Sequence, residues 1–392
     1  MFRMDKKTRR ILLVSYYLPS RAHGGGLRLL DLYGLIRRIL PQVRIDLAAC
    51  RQTVDEAEGG LQEIFDSVHL LEPDRFNPEG FRLAGLLDGQ YAVVDLQYLQ
   101  SGRFIRAFRR CGTKRIIFSP MESMVRATAI LFEDLVKSLS PRKLIRLGEY
   151  LRYSAREIGY VLRADRVLCV SERDASTLKV FRRRGGVFAI ETGVSPLEFP
   201  RSLGPSPPAR NLGEVKNLVF VAFFGSMTNK DALKWYLQEV HPVVTSAIPS
   251  YRFQIVGRGL DELFFAPDGN VEVIGAVDSI EDQLEGAWVG IAPALSGAGL
   301  RGKINQYAIA GIPCVASELA ADGFAYSDGE SICLASDAAE FAQRCIALLS
   351  SREYNKTVGE AARRVCLANY VWDVKIDQVT NVFDLVSSSK NN

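Results

Sequence analysis

The feature that most constrains the fold is an alternation of two kinds of segment along nearly the whole chain of 392 residues. Short apolar runs of strand length are followed by amphipathic runs with helical spacing. Strands separated by helices in this way pair in parallel, and the helices cover both faces of the sheet. In the first half, the runs with strand character are 11–18, 43–50, 68–71, 91–98, 115–118, 166–170 and 187–190.

A second alternating series follows a segment rich in Pro and Ser, residues 200–210. Its strand-like runs are 218–224, 251–256, 271–274, 288–295, 312–317 and 331–334. We therefore predict an α/β chain of two Rossmann-like, doubly wound domains that face a central cleft. The predicted domains are residues 1–205 and 206–370, and residues 371–392 are expected to form a last helix that packs back on the first domain.

The composition argues against several classes of protein. No apolar run approaches the roughly 18 to 20 residues that a helix needs to cross a bilayer. The seven cysteines are scattered and form no C-x-x-C pair, so neither a zinc site nor a disulfide framework is indicated. A basic N-terminus precedes run 11–18, as in a signal peptide, but no small-residue cleavage site follows, and we interpret the run as a first buried strand. A cytoplasmic protein is expected.

The stretch 288–323 carries the clearest ligand signal. An apolar strand ends there in a glycine-rich turn, and a short helix with Arg301 and Lys303 follows. Backbone amides at the start of a helix, next to two cations, suit a phosphate or a diphosphate. Gly297, Gly299 and Gly302 also spell G-x-G-x-x-G, and a NAD-dependent enzyme is therefore an alternative.

Segments from both halves, taken in order, resemble the GT-B glycosyltransferases, and among them the retaining family 4 enzymes that use nucleotide-sugar donors. The segments include ILLVSYYLPSRAHGGGLR and AIETGVSPLEF in the first half, and FFGSMTNKDALKWYLQEVHP, FQIVGRG and GAGLRGKINQYAIAGIPCVAS in the second. The resemblance implies that the first domain binds the acceptor and that the second binds the donor. It implies no cofactor, because the nucleotide-sugar donor is a co-substrate.

The resemblance also implies which residues of the second domain hold the donor. Its turn and helix start would bind the diphosphate, and two polar residues after the domain's first strand would assist. The residues concerned are Gly297, Gly299, Leu300, Arg301 and Lys303, with Ser226 and Lys230 as the assisting pair. An ordinary solvated helix surface is the alternative interpretation of these cations.

In the first domain, the loop 23–26 follows the first strand and is expected to point at the cleft. Gly25 and Gly26 would let the backbone approach a phosphate or the transferred sugar. His23 in this loop and Glu122 in the run FSPMES are the candidate catalytic contacts. A simple strand-to-helix turn and a helix cap are the respective alternatives.

The sequence departs from the family pattern in the glycine-rich turn and on the helix after it. The family usually has two glutamates separated by seven residues, the second on this helix near the donor ribose, and the matching positions are Ala298 and Gln306. A subset of the family lacks the first glutamate. An amide carries no charge and binds a ribose diol less strongly than a carboxylate does. One hypothesis is a donor that lacks the 2′-hydroxyl, such as a dTDP-sugar. The other is that this copy has lost its activity.

No metal-ligand spacing and no paired carboxylates are evident in the sequence. The expected activity is therefore a metal-independent hexosyl transfer, in which cations and helix amides stabilise the leaving nucleotide diphosphate. The resemblance implies retention at the anomeric carbon and a place in polysaccharide or glycoconjugate biosynthesis. A catalytically silent GT-B scaffold or sugar-nucleotide-binding subunit is the alternative.

The charge is distributed unevenly between the halves. Residues 1–200 carry 33 Lys and Arg against 23 Asp and Glu, whereas the remainder carries 16 against 22. Two basic amphipathic segments, 103–115 and 137–166, suggest peripheral contact with an anionic membrane, at the inner face if the acceptor is a lipid-linked saccharide. Core helices with a solvated charged face are the alternative. No nucleic-acid-binding motif is present, so a nucleic-acid partner is not expected.

Overall fold

The computed structural model describes residues 10–21, 24–51, 60–88, 91–137, 141–182, 186–204, 212–260, 269–295 and 302–384. The chain divides into two compact units. The first unit runs to Gly193 and takes up the chain again from Lys375, and the second spans Val194–Val374.

The first unit contains a parallel sheet of seven strands among the described residues, in the spatial order β3-β2-β1-β4-β5-β6-β7. Apolar side chains such as Leu12, Leu47 and Val94 are fully buried in it, as expected for strands that are covered on both faces. The strands are β1 (Arg10–Ser15), β2 (Arg44–Cys50), β3 (Ser67–Leu71), β4 (Val93–Gln97), β5 (Arg115–Ser119), β6 (Arg166–Cys169) and β7 (Val187–Ala189).

Helices alternate with these strands. They are α1 (Gly24–Ile39), α2 (Leu61–Ile64), α3 (Pro78–Leu83), α4 (Ile105–Arg110), α5 (Met124–Lys137), α6 (Pro141–Arg163) and α7 (Glu172–Lys179), with a 3-10 helix at Leu99–Phe104. All seven strand positions predicted from the sequence of this half are confirmed, with ends that shift by a few residues.

The second unit contains a parallel sheet of six strands in its described part, in the order β10-β9-β8-β11-β12-β13. The strands are β8 (Asn217–Val221), β9 (Arg252–Val256), β10 (Val271–Gly275), β11 (Ala287–Ala292), β12 (Cys314–Ser317) and β13 (Cys333–Ala335). The helices of this unit are α8 (Met227–Trp235), which continues through a π-helical turn at Tyr236–Val240 into α9 (His241–Ala247), then α10 (Ile280–Leu284), α11 (Lys303–Ile309), α12 (Glu318–Ala321), α13 (Ala338–Ser350) and α14 (Arg352–Asn369).

The two sheets share one winding. In each, the chain moves outward over the first three strands and then crosses back to place the fourth strand beside the first. This is the doubly wound Rossmann order, and ligands bind it at the carboxyl ends of the strands where the order reverses. The prediction of two Rossmann-like domains is confirmed. The reversal lies between β1 and β4 in the first unit and between β8 and β11 in the second.

Both ends of the second unit are set by packing. The sequence placed the boundary at residue 205, but the first unit ends at Gly193. The reason is that Val194 donates its amide to Tyr370 O at 2.6 Å and that Phe199 is fully buried in the second unit's core. After a 3-10 helix at Trp372–Lys375, the chain enters α15 (Ile376–Phe383).

Helix α15 completes the first unit. Arg166 donates to Val382 O at 2.8 Å, and Arg115 forms an ion pair with Asp384 at the end of the helix. The Phe383 ring meets Tyr33 edge to face, with 6.1 Å between the ring centroids. None of the described helices is both long and apolar enough to span a bilayer.

Candidate functional site

A small pocket in the second unit lies at the reversal point of its sheet. Its walls come from the end of β8, the end of β11 and the starts of the two helices that follow these strands. The described residues that line it are Phe220, Thr228, Asn229, Ala232, Ala292, Pro293, Ala294 and Lys303. The pocket therefore lies at the edge of the sheet where ligands of this fold bind.

Lys303 supplies the positive charge of the pocket. Its Nζ lies 4.3 Å from the centroid of the Phe220 ring and 3.4 Å from Asn229 Oδ1. Asn229 is itself oriented, because its Nδ2 donates to Phe223 O at 2.8 Å. An ammonium at this position is a positive charge and a hydrogen-bond donor at the edge of the sheet where ligands of this fold bind. The sequence predicted Lys303 for this role, but it gave no sign of Phe220 or Asn229.

The position of Lys303 depends on a glycine in the sheet. Gly290 of β11 has no side chain, and the Tyr307 ring of α11 occupies that space; a Cβ on Gly290 would lie 2.4 Å from the ring. The Tyr307 hydroxyl accepts from Val221 N at 2.9 Å and donates to Ile291 O at 3.2 Å. Helix α11 is therefore fixed against both β8 and β11, and Lys303 at its start is fixed with it.

Gln306 is bonded to an acid from a distant segment. Its Nε2 donates to Glu198 Oε2 at 3.0 Å, and both side chains are half-buried. Gln306 stands one turn after Lys303 on α11, so it lies on the same side of the helix. A carboxylate is thus present beside the position where the family pattern expects one, although it is carried by another element.

The two assisting residues of the second unit lie beside the pocket. Ser226 precedes the first residue of α8, and its side chain makes no cap hydrogen bond there. Lys230 lies in the first turn of α8 and is half-buried. Among the described residues, Thr228 and Asn229 of the same turn line the pocket instead.

A second glycine brings two loops of this edge together. Gly257 has φ 137° and follows β9, and a Cβ there would lie 1.8 Å from Ala222 O. Only glycine fits this combination of backbone angle and contact. The loop after β9 therefore packs directly on the loop after β8, where Phe224 N donates to Arg258 O at 2.7 Å.

In the first unit, the glycines after β1 are helical. The sequence predicted a loop at 23–26, but Gly25 and Gly26 lie in the first turn of α1, which begins at Gly24. The physical reason lies in the residues that follow, because Arg28, Leu29 and Leu32 are buried and hold the helix against the sheet. His23 lies outside the described residues.

Arg28 joins α1 to the end of the sheet. Its guanidinium donates to Ile190 O at 2.5 Å and to Thr192 Oγ1 at 3.0 Å, in the turn that follows β7. Burial lowers the pKa of Arg28 to about 10, and nearby Asp95 and Asp31 oppose that shift. The side chain is therefore still charged at neutral pH, and the sequence gave no indication of it.

A buried carboxyl group lies at the reversal point of the first sheet. Asp95 of β4 is fully buried and accepts from Tyr33 Oη at 2.9 Å, Gln97 Nε2 at 2.7 Å and Ser119 Oγ at 2.7 Å. Burial raises the pKa of Asp95, and these three bonds together with Arg28 oppose the rise. The two polar residues Asp95 and Gln97 inside the apolar run 91–98 are the sequence signal that could have indicated this network.

Glu122 follows β5 and is exposed. Partial desolvation and the charge of Asp174 raise its pKa, and Arg126 opposes the rise. Glu157 of α6 lies close to the same segment and is fully buried; it accepts from Val125 N at 2.9 Å. The structure thus places a second acid, missed in the sequence, behind the one that was predicted.

The two carboxyl oxygens of Glu157 differ in their hydrogen bonding. Its Oε1 is buried and has no hydrogen-bond partner among the residues that the structure describes, while Oε2 accepts from Ser123 Oγ at 3.2 Å as well as from Val125. Burial raises the pKa of Glu157 to about 7, because those hydrogen bonds offset only part of the desolvation. The group therefore changes charge near neutral pH.

The remaining predicted residues, Gly297, Gly299, Leu300 and Arg301, lie outside the described residues, as does Ala298. Within the described ranges, no group of three or more His, Cys, Asp or Glu side chains is placed to hold a metal ion.

Comparison with known proteins gives matches of two kinds. Residues 218–351 match the family model described as Glycosyl transferases group 1. Over 142 residues the chain is 28% identical to an uncharacterised 44.6 kDa protein in the cps region of Klebsiella pneumoniae, which covers 33% of this chain and 36% of that protein. The chain thus aligns with only about a third of that relative's length.

Solved structures match over nearly the whole chain. Sucrose-phosphate synthase from Thermosynechococcus elongatus superposes with a TM-score of 0.67 at 16% identity, covering 96% of this chain and 98% of that one. Anabaena HepE in complex with UDP gives a TM-score of 0.67 at 13% identity, covering 96% of this chain and 100% of that one. With the shared strand order of the two sheets, this likeness defines the GT-B fold.

The family match is more particular than the fold. It covers β8 to β13, and these include β8 and β11, whose ends line the Lys303 pocket. Residues 218–351 of the second unit are similar to the Glycosyl transferases group 1 family model.

Proposed function

We propose that this protein is a retaining glycosyltransferase that moves a hexose from a nucleotide-diphosphate sugar to a saccharide or lipid-linked saccharide acceptor. The observation that carries the proposal is Lys303, whose ammonium lies in a pocket at the reversal point of the second sheet and stands 4.3 Å from the Phe220 ring. A cation that is already positioned there stabilises the charge that develops on the leaving diphosphate.

The proposed reaction is a direct transfer of the sugar, and few protein groups take part in it. The bond between the anomeric carbon and the diphosphate oxygen breaks, and the acceptor oxygen bonds to the same face of the sugar while its proton passes to the departing diphosphate oxygen. Lys303 offsets part of the charge on the leaving group, and the proposed reaction uses neither a metal ion nor a cofactor. Arg301 and the backbone of Gly297, Gly299 and Leu300 remain the predicted partners of the same diphosphate.

The donor side of the proposal rests on Gln306 and Glu198. The amide at Gln306 by itself favours a donor without a 2′-hydroxyl, such as a dTDP-sugar. Glu198 adds an ionisable oxygen 3.0 Å from that amide, and a carboxylate accepts hydrogen bonds from the two hydroxyls of a ribose diol. We therefore favour a ribonucleotide donor, and a dTDP-sugar is the alternative.

The acceptor side rests on the first unit. Glu122 is exposed after β5, at the carboxyl edge of the sheet where ligands of this fold bind. It stays the predicted contact to the acceptor or the transferred sugar, together with His23. The relative from Klebsiella pneumoniae is described only by its place in a cps region, and this supports an acceptor in envelope polysaccharide synthesis, with the basic first unit in peripheral contact with an anionic membrane.

The activity test measures release of nucleoside diphosphate from a set of nucleotide-sugars, with and without added acceptor saccharides. We expect acceptor-dependent release, and we expect Lys303→Ala to reduce it by at least about a hundredfold, the usual scale for one electrostatic contact to the leaving group. Lys234→Ala is the matched control, because Lys234 is an exposed lysine on α8 and should leave the rate unchanged.

Binding without turnover identifies the alternative function. If nucleotide-sugars bind but no acceptor releases the diphosphate, the chain is a sugar-nucleotide-binding subunit. The donor is tested by competition among UDP, GDP and dTDP. Glu198→Gln should lower the affinity for UDP relative to that for dTDP by about tenfold, the scale of one charge-assisted hydrogen bond. An unchanged ratio would reject the role of Glu198 and leave the transferase proposal intact.

A further inference from the structure

Two antiparallel helices of the first unit, α5 and α6, form a hairpin that leaves apolar side chains in solvent. The helices pack through small polar residues. Thr128 and Ser154 share a hydrogen bond of 2.7 Å between their hydroxyls, and Ser154 Oγ also donates to Met124 O at 2.9 Å. Leu135 of α5 and Val161 of α6 are buried, but other large apolar side chains of both helices remain exposed.

These apolar side chains form one stripe on each helix. On α5 the stripe follows the spacing i, i+4, i+7, i+11, and on α6 it follows i, i+7, i+11, i+14, i+18, so each stripe runs along one side of its helix. Because the helices are antiparallel and face each other through Thr128 and Ser154, both stripes lie on the same side of the hairpin. The stripes consist of Val125, Ala129, Phe132 and Val136 on α5, and of Leu144, Leu151, Ala155, Ile158 and Leu162 on α6.

The stripes are exposed to an unusual degree. The exposed fractions are 56% for Phe132, 71% for Val136, 54% for Leu151 and 61% for Leu162. Single exposed apolar residues are common on soluble proteins, but a contiguous group of large ones marks a surface that binds something. We call this surface the hairpin face.

The charges next to the hairpin face are mainly positive. The sequence of α6 holds six Arg and Lys residues and two acids, and one of these acids, Glu157, is fully buried. Arg152, Arg156 and Arg163 follow the apolar stripe around the helix and are exposed. The surface thus pairs an apolar stripe with a cationic border.

The other basic segment of this unit lacks such a surface. In and beside α4, Phe104, Ile105 and Phe108 are buried in the core. Two of its cations are engaged: Arg109 bonds Asp165 at 2.9 Å, and the Arg103 guanidinium lies 5.5 Å from the Phe76 ring centroid. For this segment the interpretation as a core helix is correct, and it has no apolar side chains to insert into lipid.

We propose that the hairpin face docks on an anionic lipid bilayer, with the two apolar stripes in the headgroup region and the arginines of α6 on the lipid phosphates. Charge complementarity selects this occupant. A second copy of the chain would bring the same cationic border against itself, whereas an anionic bilayer offers both an apolar interior and negative charge. This docking is independent of the donor chemistry, since it requires neither Lys303 nor a nucleotide.

The test is co-sedimentation of the full chain with vesicles of phosphatidylcholine, either alone or mixed with phosphatidylglycerol. Binding is expected only with the mixed vesicles, and it should weaken as salt is added, because the charge term is screened. Phe132→Ser and Leu151→Ser should each lower the partition coefficient by about tenfold, the scale for losing one large apolar side chain from lipid. Arg152→Glu should lower it and flatten the salt dependence.

Two controls make the result specific to the hairpin face. Leu83 on α3 is 68% exposed, and Leu83→Ser should bind as the wild type does. Arg106 is an exposed arginine on α4, so Arg106→Glu removes the same charge from the other basic helix and should have a smaller effect than Arg152→Glu. Far-UV circular dichroism and the thermal midpoint verify that each variant is folded.

Three results would overturn the proposal. These are equal binding to both kinds of vesicle, wild-type binding by Phe132→Ser and Leu151→Ser in the folded state, and a concentration-dependent dimer that either variant abolishes. The last result would assign the hairpin face to a second copy of the chain.

Discussion

The two units of this protein share one strand order and differ in what their sheets bury. In the first unit, the strands carry fully buried acids, Asp46 on β2 and Asp95 on β4. In the second unit, the described residues of the six strands include no buried polar side chain, and the buried amides Asn305 and Asn355 lie on helices. The same winding therefore supports a charged sheet and an apolar one.

The difference shows what each sheet depends on. The first sheet is held by hydrogen bonds and ion pairs, such as the one between Asp46 and Arg10, and its stability should respond to the loss of a charge. The second sheet is stabilised by close packing, since the Tyr307 ring fills the space over Gly290. Its stability should fall when a side chain there is enlarged. The three tryptophans, at 235, 288 and 372, all belong to the second unit, so their fluorescence reports on that unit alone.

The largest effect is expected at Asp95. In Asp95→Ala, the partners Tyr33, Gln97 and Ser119 lose their acceptor, and Arg28 loses a nearby negative charge. Removing one member of a buried charged network costs about 3 to 5 kcal/mol of unfolding free energy. Hydrogen exchange of the first sheet measures the loss, and the tryptophan signal of the second unit should change much less.

Asp95→Asn is the matched control. The amide keeps one acceptor oxygen and the same shape, so it should lose less than the alanine variant. If the alanine variant costs under about 1 kcal/mol, which is the scale of one neutral hydrogen bond, the charged network does not hold the first sheet.

The second prediction compares two glycines, each of which faces a tyrosine ring. A Cβ at Gly290 would lie 2.4 Å from the Tyr307 ring, and one at Gly102 would lie 2.3 Å from the Tyr160 ring. Tyr307 is fully buried and bonded at its hydroxyl, whereas Tyr160 is half-buried. Gly290→Ala should therefore lower the free energy of unfolding by about 3 kcal/mol, the upper part of the usual range for overpacking. Gly102→Ala should lower it by about 1 kcal/mol.

Urea unfolding followed by tryptophan fluorescence measures the Gly290 variant, and hydrogen exchange of the first unit measures the Gly102 variant. Gly148→Ala on α6 is the control for the glycine effect alone, because a Cβ there meets nothing within 4 Å. If both variants lose the same free energy of unfolding, the core of the second unit adapts to an added methyl group as readily as that of the first.

The third prediction concerns pH. The pKa of Glu157 is raised from 4.5 to about 7 by burial, so the folded state holds a proton that the unfolded state has lost between these values. The first unit should lose up to about 3 kcal/mol as pH rises through this window. Glu157→Gln should remove that pH slope, and Glu149→Gln, at an exposed position on the same helix, should keep it.

The second unit should show the opposite sign. Desolvation acts to raise the pKa of Glu281, but bonds from Ser202 and Arg201 outweigh it and lower that pKa. Glu281 thus stabilises the fold when ionised, and the contribution is lost as pH falls below about 4.5, the ordinary glutamate value. A free energy of unfolding, measured by tryptophan fluorescence, that falls as pH rises from about 4.5 to about 7 would contradict this assignment.

The sequence predicted the sheets well and the site only in part, for physical reasons. Parallel strands that are buried on both faces appear as continuous apolar runs, so each strand was visible locally. The pair of Gln306 and Glu198 is 108 residues apart in the chain, and no local pattern joins them. Glu157 is an acid in a basic amphipathic segment, where a solvated position is the ordinary expectation, but it lies on the buried side of α6 with Ser154 and Val161.

The glycines after β1 show the opposite error. A run of three glycines favours a loop because glycine is costly within a helix. The run is helical here because the buried residues after it, such as Leu29 and Leu32, contribute more than the glycines lose. Local propensity was outweighed by tertiary packing, as is common for short elements.

The smallest effect tests whether the two units also differ at their helix ends. Asp337 caps α13 by accepting from Glu340 N at 2.8 Å, and Asn77 caps α3 by accepting from Glu79 N at 3.0 Å. Each alanine variant should cost about 1 kcal/mol, and serine should restore most of it, because a hydroxyl can also accept these bonds. Caps are local, so the two costs should agree even though the sheets beneath them differ. Hydrogen exchange of the two helices measures the loss of stability in each alanine variant. A loss at Asp337 several times that at Asn77 would show that the change at the end of α13 also destabilises the apolar core. The contrast between the units would then extend from their sheets to their helices.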